Sequence, residues 1–157
     1  MNFRKFFLTV GFSGLSPKAP GTVGSFVSLI LGVFLLQFLH VSTLFMLAIL
    51  ITVIAVKQID IYEKETGIHD GKEIVIDELA GMWIALSICG INESNFIIMA
   101  ILAFIGFRIF DIWKPSIIGK IDEKVSGGWG VMGDDLIAGV AGGIFASLLY
   151  QIYFYFS

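Results

Sequence analysis

Apolar runs separated by short polar stretches set the frame of the chain. Val23 to Val56 is almost uninterrupted in its apolarity. That is too long for one crossing, because a bilayer core of about 30 Å needs roughly 20 helical residues. Gln37, His40 and Ser42 interrupt the run, which predicts helices over 22–38 and 42–59 with His40 in the turn between them. A third helix is predicted over 74–91, a fourth from Phe96 to Trp113, and a fifth over 134–156. Pro115 closes the fourth, since proline cannot continue a helix. The first 21 residues read differently. Phe3, Phe6, Phe7 and Phe12 suit a short segment lying in the membrane interface, and the Gly/Pro-rich stretch Gly11–Ser25 reads as a shaped loop feeding a helix near Thr22. Between the spans, 57–73 is a polar segment in which Thr66-Gly67 marks a helix end, and 114–133 reads as a loop.

Composition supports a membrane setting. Hydrophobic residues make up 57% and charged residues 15% of the chain, and mean hydropathy is +0.90. Soluble domains hold about 45–50% apolar and about 25% charged residues, so both shifts point to an all-α, polytopic helical bundle of about five spans. The 157 residues suit a single domain, 1–157. No basic stripe of the kind nucleic acid requires is present, so no nucleic-acid partner is expected. The lone Cys89 falls inside an apolar run and reads as a small buried hydrophobe. The apolar stretch Phe6–Phe12 behind Arg4 and Lys5 is short for a signal peptide and lacks a convincing cleavage site, so the N-terminus is expected in the mature protein.

Charge adds orientation. With five spans, all ten Lys and Arg fall on one side, in 1–21, 57–73 and 108–124, and of the thirteen acids only Glu93 falls on the other. The excess of basic residues in cytoplasmic segments predicts a cytoplasmic N-terminus and an external C-terminus. Every candidate site residue then lies at the cytoplasmic face of the inner membrane.

The candidate chemistry is acidic. Asp77-Glu78 opens the third predicted helix, Arg108 and Asp111 end the fourth, and Asp134-Asp135 opens the fifth. Charge in the hydrocarbon zone costs roughly 2.5–3.5 kcal/mol per group on insertion scales, so such residues suggest function. A structural role is also open to each: helix-start carboxylates complement the helix dipole, Glu73 and Asp77 are spaced to share a helical face, and Asp111 stands three residues from both Arg108 and Lys114. Converging carboxylates without His or Cys favour Mg²⁺ or Mn²⁺, and Arg and Lys beside them suit a phosphate. Exposed backbone N–H groups at the helix start near Thr22, with Lys18 close by, also suit an anion. The pattern describes metal-assisted phosphoryl transfer at a membrane surface. Cys89, within a predicted span and without a following phosphate loop, is excluded as a phosphatase nucleophile.

Four blocks together resemble the phosphatidylglycerophosphatase A family: Gly11–Ser25, the run from Ile68-His69-Asp70 through Asp77-Glu78 to Trp83, Phe107–Pro115, and Gly127–Gly139 with Asp134-Asp135. The resemblance implies a Mg²⁺-dependent integral membrane phosphatase of phospholipid synthesis, converting phosphatidylglycerophosphate to phosphatidylglycerol and inorganic phosphate. Carried over by motif, Asp77, Asp111 and Asp134 are expected to hold the metal. Glu78 or Asp135 positions or deprotonates water, and Lys18, Arg108 and Lys114 bind the substrate phosphate. His69 and Asp70 match the pattern and orient their loop. Trp129 inside the last Gly-rich block is a departure that does not alter the expected site.

The competing class is an ion-coupled transporter using intramembrane carboxylates, which predicts acids deep in the spans and access from both sides. A scaffold subunit would leave the Arg-x-x-Asp-x-x-Lys-Pro spacing without a purpose. A head-group transferase would need a nucleotide-lipid site, and the sequence offers none.

Overall fold

The computed structural model describes residues 3–115 and 117–156, with the side chain of Asp122 outside the description. Among these residues the chain is all-helical, with seven α-helices and one 3-10 turn, Ser13–Leu15. The helices are α1 (Phe3–Leu8), α2 (Pro20–Leu35), α3 (Val41–Thr66), α4 (Ile76–Ile88), α5 (Phe96–Trp113), α6 (Ile117–Lys124) and α7 (Gly128–Phe156).

The centre of the bundle is α4, which packs against α2, α3, α5 and α7. Ile76 and every residue from Glu78 to Leu86 are buried. At 1.5 Å per residue its 13 residues reach only about 20 Å. Its neighbours, rather than lipid, cover it. Small residues permit this packing: a Cβ on Gly139 would collide with the Gly81 carbonyl of α4, and one on Gly106 of α5 would stand 2.5 Å from the Gly142 carbonyl of α7. The indole Nε1 of Trp83 donates to the Ser28 carbonyl at 2.9 Å and ties α4 to α2.

Three helices, α3, α5 and α7, are long and apolar enough to cross a membrane. Only 33%, 28% and 28% of their most apolar stretches are buried, so most of that surface faces outward. Exposed Met46, Leu50, Ile97, Ile101 and Leu148 lie on it. Apolar surface on that scale marks an interaction with membrane or partner. Of the other two expected spans, α2 is a shorter apolar helix of 16 residues and α4 is shorter still.

Local chemistry explains where the boundaries differ from expectation. The α7 helix begins at Gly128, six residues before the expected start, because the Asp60 carboxylate of α3 accepts the Gly128 N–H at 2.7 Å. Asp134 and Asp135 are therefore the seventh and eighth residues of the helix and are not N-terminal caps. The expected loop 114–133 contains α6, whose Ile118 is buried. Glu73 lies outside α4, so its predicted shared face with Asp77 does not form; its carboxylate takes the Tyr62 hydroxyl at 2.8 Å and Lys5 at 3.4 Å. His40 caps α3 by accepting the Ser42 N–H, and Gly67 in the left-handed region ends that helix, both in the expected places. Cys89 is a buried free thiol.

Candidate active site

The start of α4 places Asp77 and Glu78 in its first turn, where exposed N–H groups are available. The Asp77 Oδ1 accepts the Glu78 N–H at 2.9 Å, which turns the two carboxylates in different directions. Glu78 turns toward α2 and α5 and is buried there beside Arg108.

Arg108 is the hub. Its Nη1 donates to both Glu78 oxygens, at 3.0 and 2.8 Å, to Asp111 Oδ2 at 2.5 Å and to Ser25 Oγ at 3.0 Å. Its Nη2 donates to Thr22 Oγ1 at 3.2 Å. Ser25 in turn donates to Glu78 Oε2, so the start of α2 is stitched to α4 and α5 through one guanidinium. A side chain at Gly21 would intrude on the Glu78 carboxylate, so glycine lets α2 come this close. Sequence reading placed Thr22 and Ser25 near an anion. In the structure they hold the arginine instead, a pairing that spans more than eighty residues and that no local pattern reveals.

From α7, Asp135 is buried, and carboxylate oxygens of Glu78, Asp111 and Asp135 lie within 4.8 Å of one another. Glu78 and Asp111 share one guanidinium and Asp135 lies close to both carboxylates, so the ionised cluster would carry more negative charge than Arg108 offsets. A divalent cation could balance that charge, and an all-carboxylate donor set suits a hard ion. The residues present therefore fit a metal. On the adjacent wall, Lys114 Nζ contacts Asp134 Oδ2 at 2.7 Å.

These groups line a cavity of about 440 Å³. Asp77, Glu78, Asp111, Lys114, Asp134 and Asp135 all face it, together with His69, Asp70 and Lys72 from the α3–α4 loop and Pro20 and Gly21 from α2. Seven of the eight expected site residues thus converge, six on the cavity wall and Arg108 directly behind it. Lys18 is not part of the lining; it precedes it by two residues. The mutually close trio is Glu78, Asp111 and Asp135, whereas Asp77 and Asp134 occupy the surrounding wall. Lys72 was not singled out by the sequence, since a lysine in a charged loop carries no distinguishing signal there.

The family model of phosphatidylglycerophosphatase A matches residues 6–150, which takes in every element that builds this cavity. The chain belongs to the phosphatidylglycerophosphatase A family. The phosphatidylglycerophosphatase A of Escherichia coli (strain K12) is 42% identical over 149 residues, covering 92% of this chain and 81% of that protein. The Haemophilus influenzae phosphatidylglycerophosphatase A is 39% identical, covering 85% and 80%. A putative phosphatidylinositol-3-phosphatase of Bacteroides thetaiotaomicron is 38% identical, covering 88% and 89%. No solved structure matches the chain. Membership of the phosphatidylglycerophosphatase A family makes the protein an enzyme, a lipid phosphatase, and leaves the transporter reading without support.

Proposed function

We propose that the protein hydrolyses phosphatidylglycerophosphate to phosphatidylglycerol and inorganic phosphate, as a Mg²⁺-dependent step of phospholipid synthesis. The observation that carries this reading is the meeting of Glu78, Asp111 and Asp135, the first two paired with Arg108, in a cavity of a phosphatidylglycerophosphatase A family chain. Residues 1–157 act as one integral-membrane phosphatase domain, in the inner membrane. The segregation of all ten basic residues to one side of a five-span arrangement supports a cytoplasm-facing cavity.

The roles follow from position. Glu78, Asp111 and Asp135 are the set best placed to hold the ion, and Asp77 and Asp134 stand on the wall beside it. Asp111 keeps the metal role expected of it, while the geometry favours exchanging Asp77 and Asp134 for Glu78 and Asp135. Bound Mg²⁺ supplies Lewis-acid polarisation of the phosphoryl group and offsets its charge. Arg108 balances Glu78 and Asp111 and fixes both carboxylates by charge-assisted hydrogen bonds. Lys114, on the wall with Asp134, brings positive charge to the equatorial phosphoryl oxygens. Asp77 or Asp134 accepts a proton from the attacking water as its oxygen bonds to phosphorus. The glycerol oxygen leaves and gains a proton to become the hydroxyl of phosphatidylglycerol. Lys18 adds a cation near the mouth.

The test is phosphate release from phosphatidylglycerophosphate by purified protein in detergent, with Mg²⁺ and then with excess EDTA. The expected result is release that stops on chelation and returns with added Mg²⁺. Undiminished release in EDTA would remove the metal from the mechanism, and no release from folded protein would remove the activity. Phosphatidylinositol 3-phosphate belongs in the same assay, because one relative is named a putative phosphatidylinositol-3-phosphatase.

A further inference from the structure

The cations of the cavity are unequally committed. Arg108 is held by Glu78 and Asp111, and Lys114 contacts Asp134. Lys72, exposed on the cavity wall, has no ion-pair or hydrogen-bond partner among the described residues. The loop that carries it is anchored at every neighbouring position. Glu63 Oε1 contacts His69 Nδ1 at 2.6 Å and accepts the Asp70 N–H at 3.3 Å. Gly71 is buried beside the Tyr62 ring, and the Glu73 carboxylate is held by Tyr62 and Lys5. Polar groups on both sides of Lys72 thus fix the loop, and among the described residues the lysine is the loop cation on the cavity wall whose positive charge has no partner.

The substrate proposed above carries two phosphates, a terminal monoester and an internal diester separated by glycerol. The acidic trio, with Arg108 behind it, forms the inner part of the cavity, where the monoester must sit for hydrolysis. The diester then lies nearer the mouth. The wall there presents the Asp70 carboxylate, which repels a second anion unless a cation offsets it. We propose that Lys72 binds the internal phosphodiester of the lipid and so selects substrates that carry one. This inference rests on the proposed phosphatidylglycerophosphatase activity. It assigns Lys72 a specificity role, outside the bond-breaking step.

The test uses the full-length protein in non-ionic detergent micelles, with Lys72→Ala, Lys72→Glu and Lys72→Arg variants. For phosphatidylglycerophosphate, K72A should raise KM about tenfold, the loss expected for one charge-assisted hydrogen bond. K72E should raise it further and K72R should stay near wild type. The kcat should remain within about twofold, as when binding common to ground and transition states is removed. Inhibition by phosphatidylglycerol, which keeps the diester, should weaken in parallel, while inhibition by inorganic phosphate should not change. A fall in kcat at constant KM, equal weakening of phosphate inhibition, or no change in KM would each overturn the assignment. Wild-type protein that released no phosphate would instead sink the underlying activity, a result readable before any variant is made.

Discussion

Arg108 shows how much one side chain decides at this site. Its fork serves two directions at once, Nη1 toward Glu78, Asp111 and Ser25 and Nη2 toward Thr22. Lysine offers a single charged centre and cannot reproduce that geometry. Arg108→Ala leaves buried Glu78 without its guanidinium, and removing one partner of a buried pair costs about 3–5 kcal/mol. The expected outcome is a sharp fall in thermal stability with loss of activity, and Arg108→Lys should recover little of either. A near wild-type Arg108→Lys enzyme would mean that charge alone matters. Asp111→Asn tests the metal role more cleanly, because it keeps the shape while removing an anionic ligand. Phosphate release at saturating lipid should fall by about a hundredfold or more, the scale of losing one preorganised electrostatic group. Retained activity in that variant would strike Asp111 from the ligand set.

At the scale of elements, α4 and α7 set the distances in the site. Gly81 of α4 faces the Asp135 carbonyl and the Phe107 ring, and a Cβ there would lie 2.5 and 2.7 Å from them. Gly81→Ala should therefore push Asp135 away from Glu78 and cost about 1–3 kcal/mol, as overpacking does. Activity should drop together with the thermal midpoint, because the same contact spaces the carboxylates. Asp60 makes the opposite case. It caps α7 from α3, outside the cavity lining. Asp60→Ala should lower stability by about 1 kcal/mol, the worth of a helix cap, and leave activity per folded molecule unchanged. Parallel loss of both properties would show that the start of α7 reaches the chemistry.

For the molecule as a whole, metal binding and folding should be linked. Glu78, Asp111 and Asp135 come from helices far apart in sequence, so the cluster exists only in the folded bundle. An ion that binds only the native state stabilises it by about 2.7 kcal/mol at a hundred times its Kd. Thermal unfolding in detergent should shift upward with Mg²⁺ relative to EDTA, and Asp135→Asn should shrink the shift. An equal shift in both proteins would place the ion elsewhere. Orientation is a separate whole-molecule property. In a Cys89→Ser background, single cysteines at Lys120 and Glu93 should label from opposite sides of the membrane, Lys120 from the cytoplasm. Labelling of both from one side would contradict the proposed arrangement.

Much of this protein is determined by its sequence alone. The apolar runs require helices, the Gln37–Ser42 interruption separates α2 from α3, and Pro115 and Thr66-Gly67 lie at real helix ends, because capping and hydrophobic patterning are local effects. The motif blocks also identify the acids, since charge in an apolar chain stands out. Only the tertiary structure decides which acids meet. Adjacent residues on one helix point in different directions, so Asp77 and Glu78, or Asp134 and Asp135, separate into wall and cluster once α4, α5 and α7 pack. The early start of α7 and the capture of Arg108 by Thr22 and Ser25 likewise depend on partners more than sixty residues away. Periodicity reports which faces are apolar; it does not report which helix each face will touch.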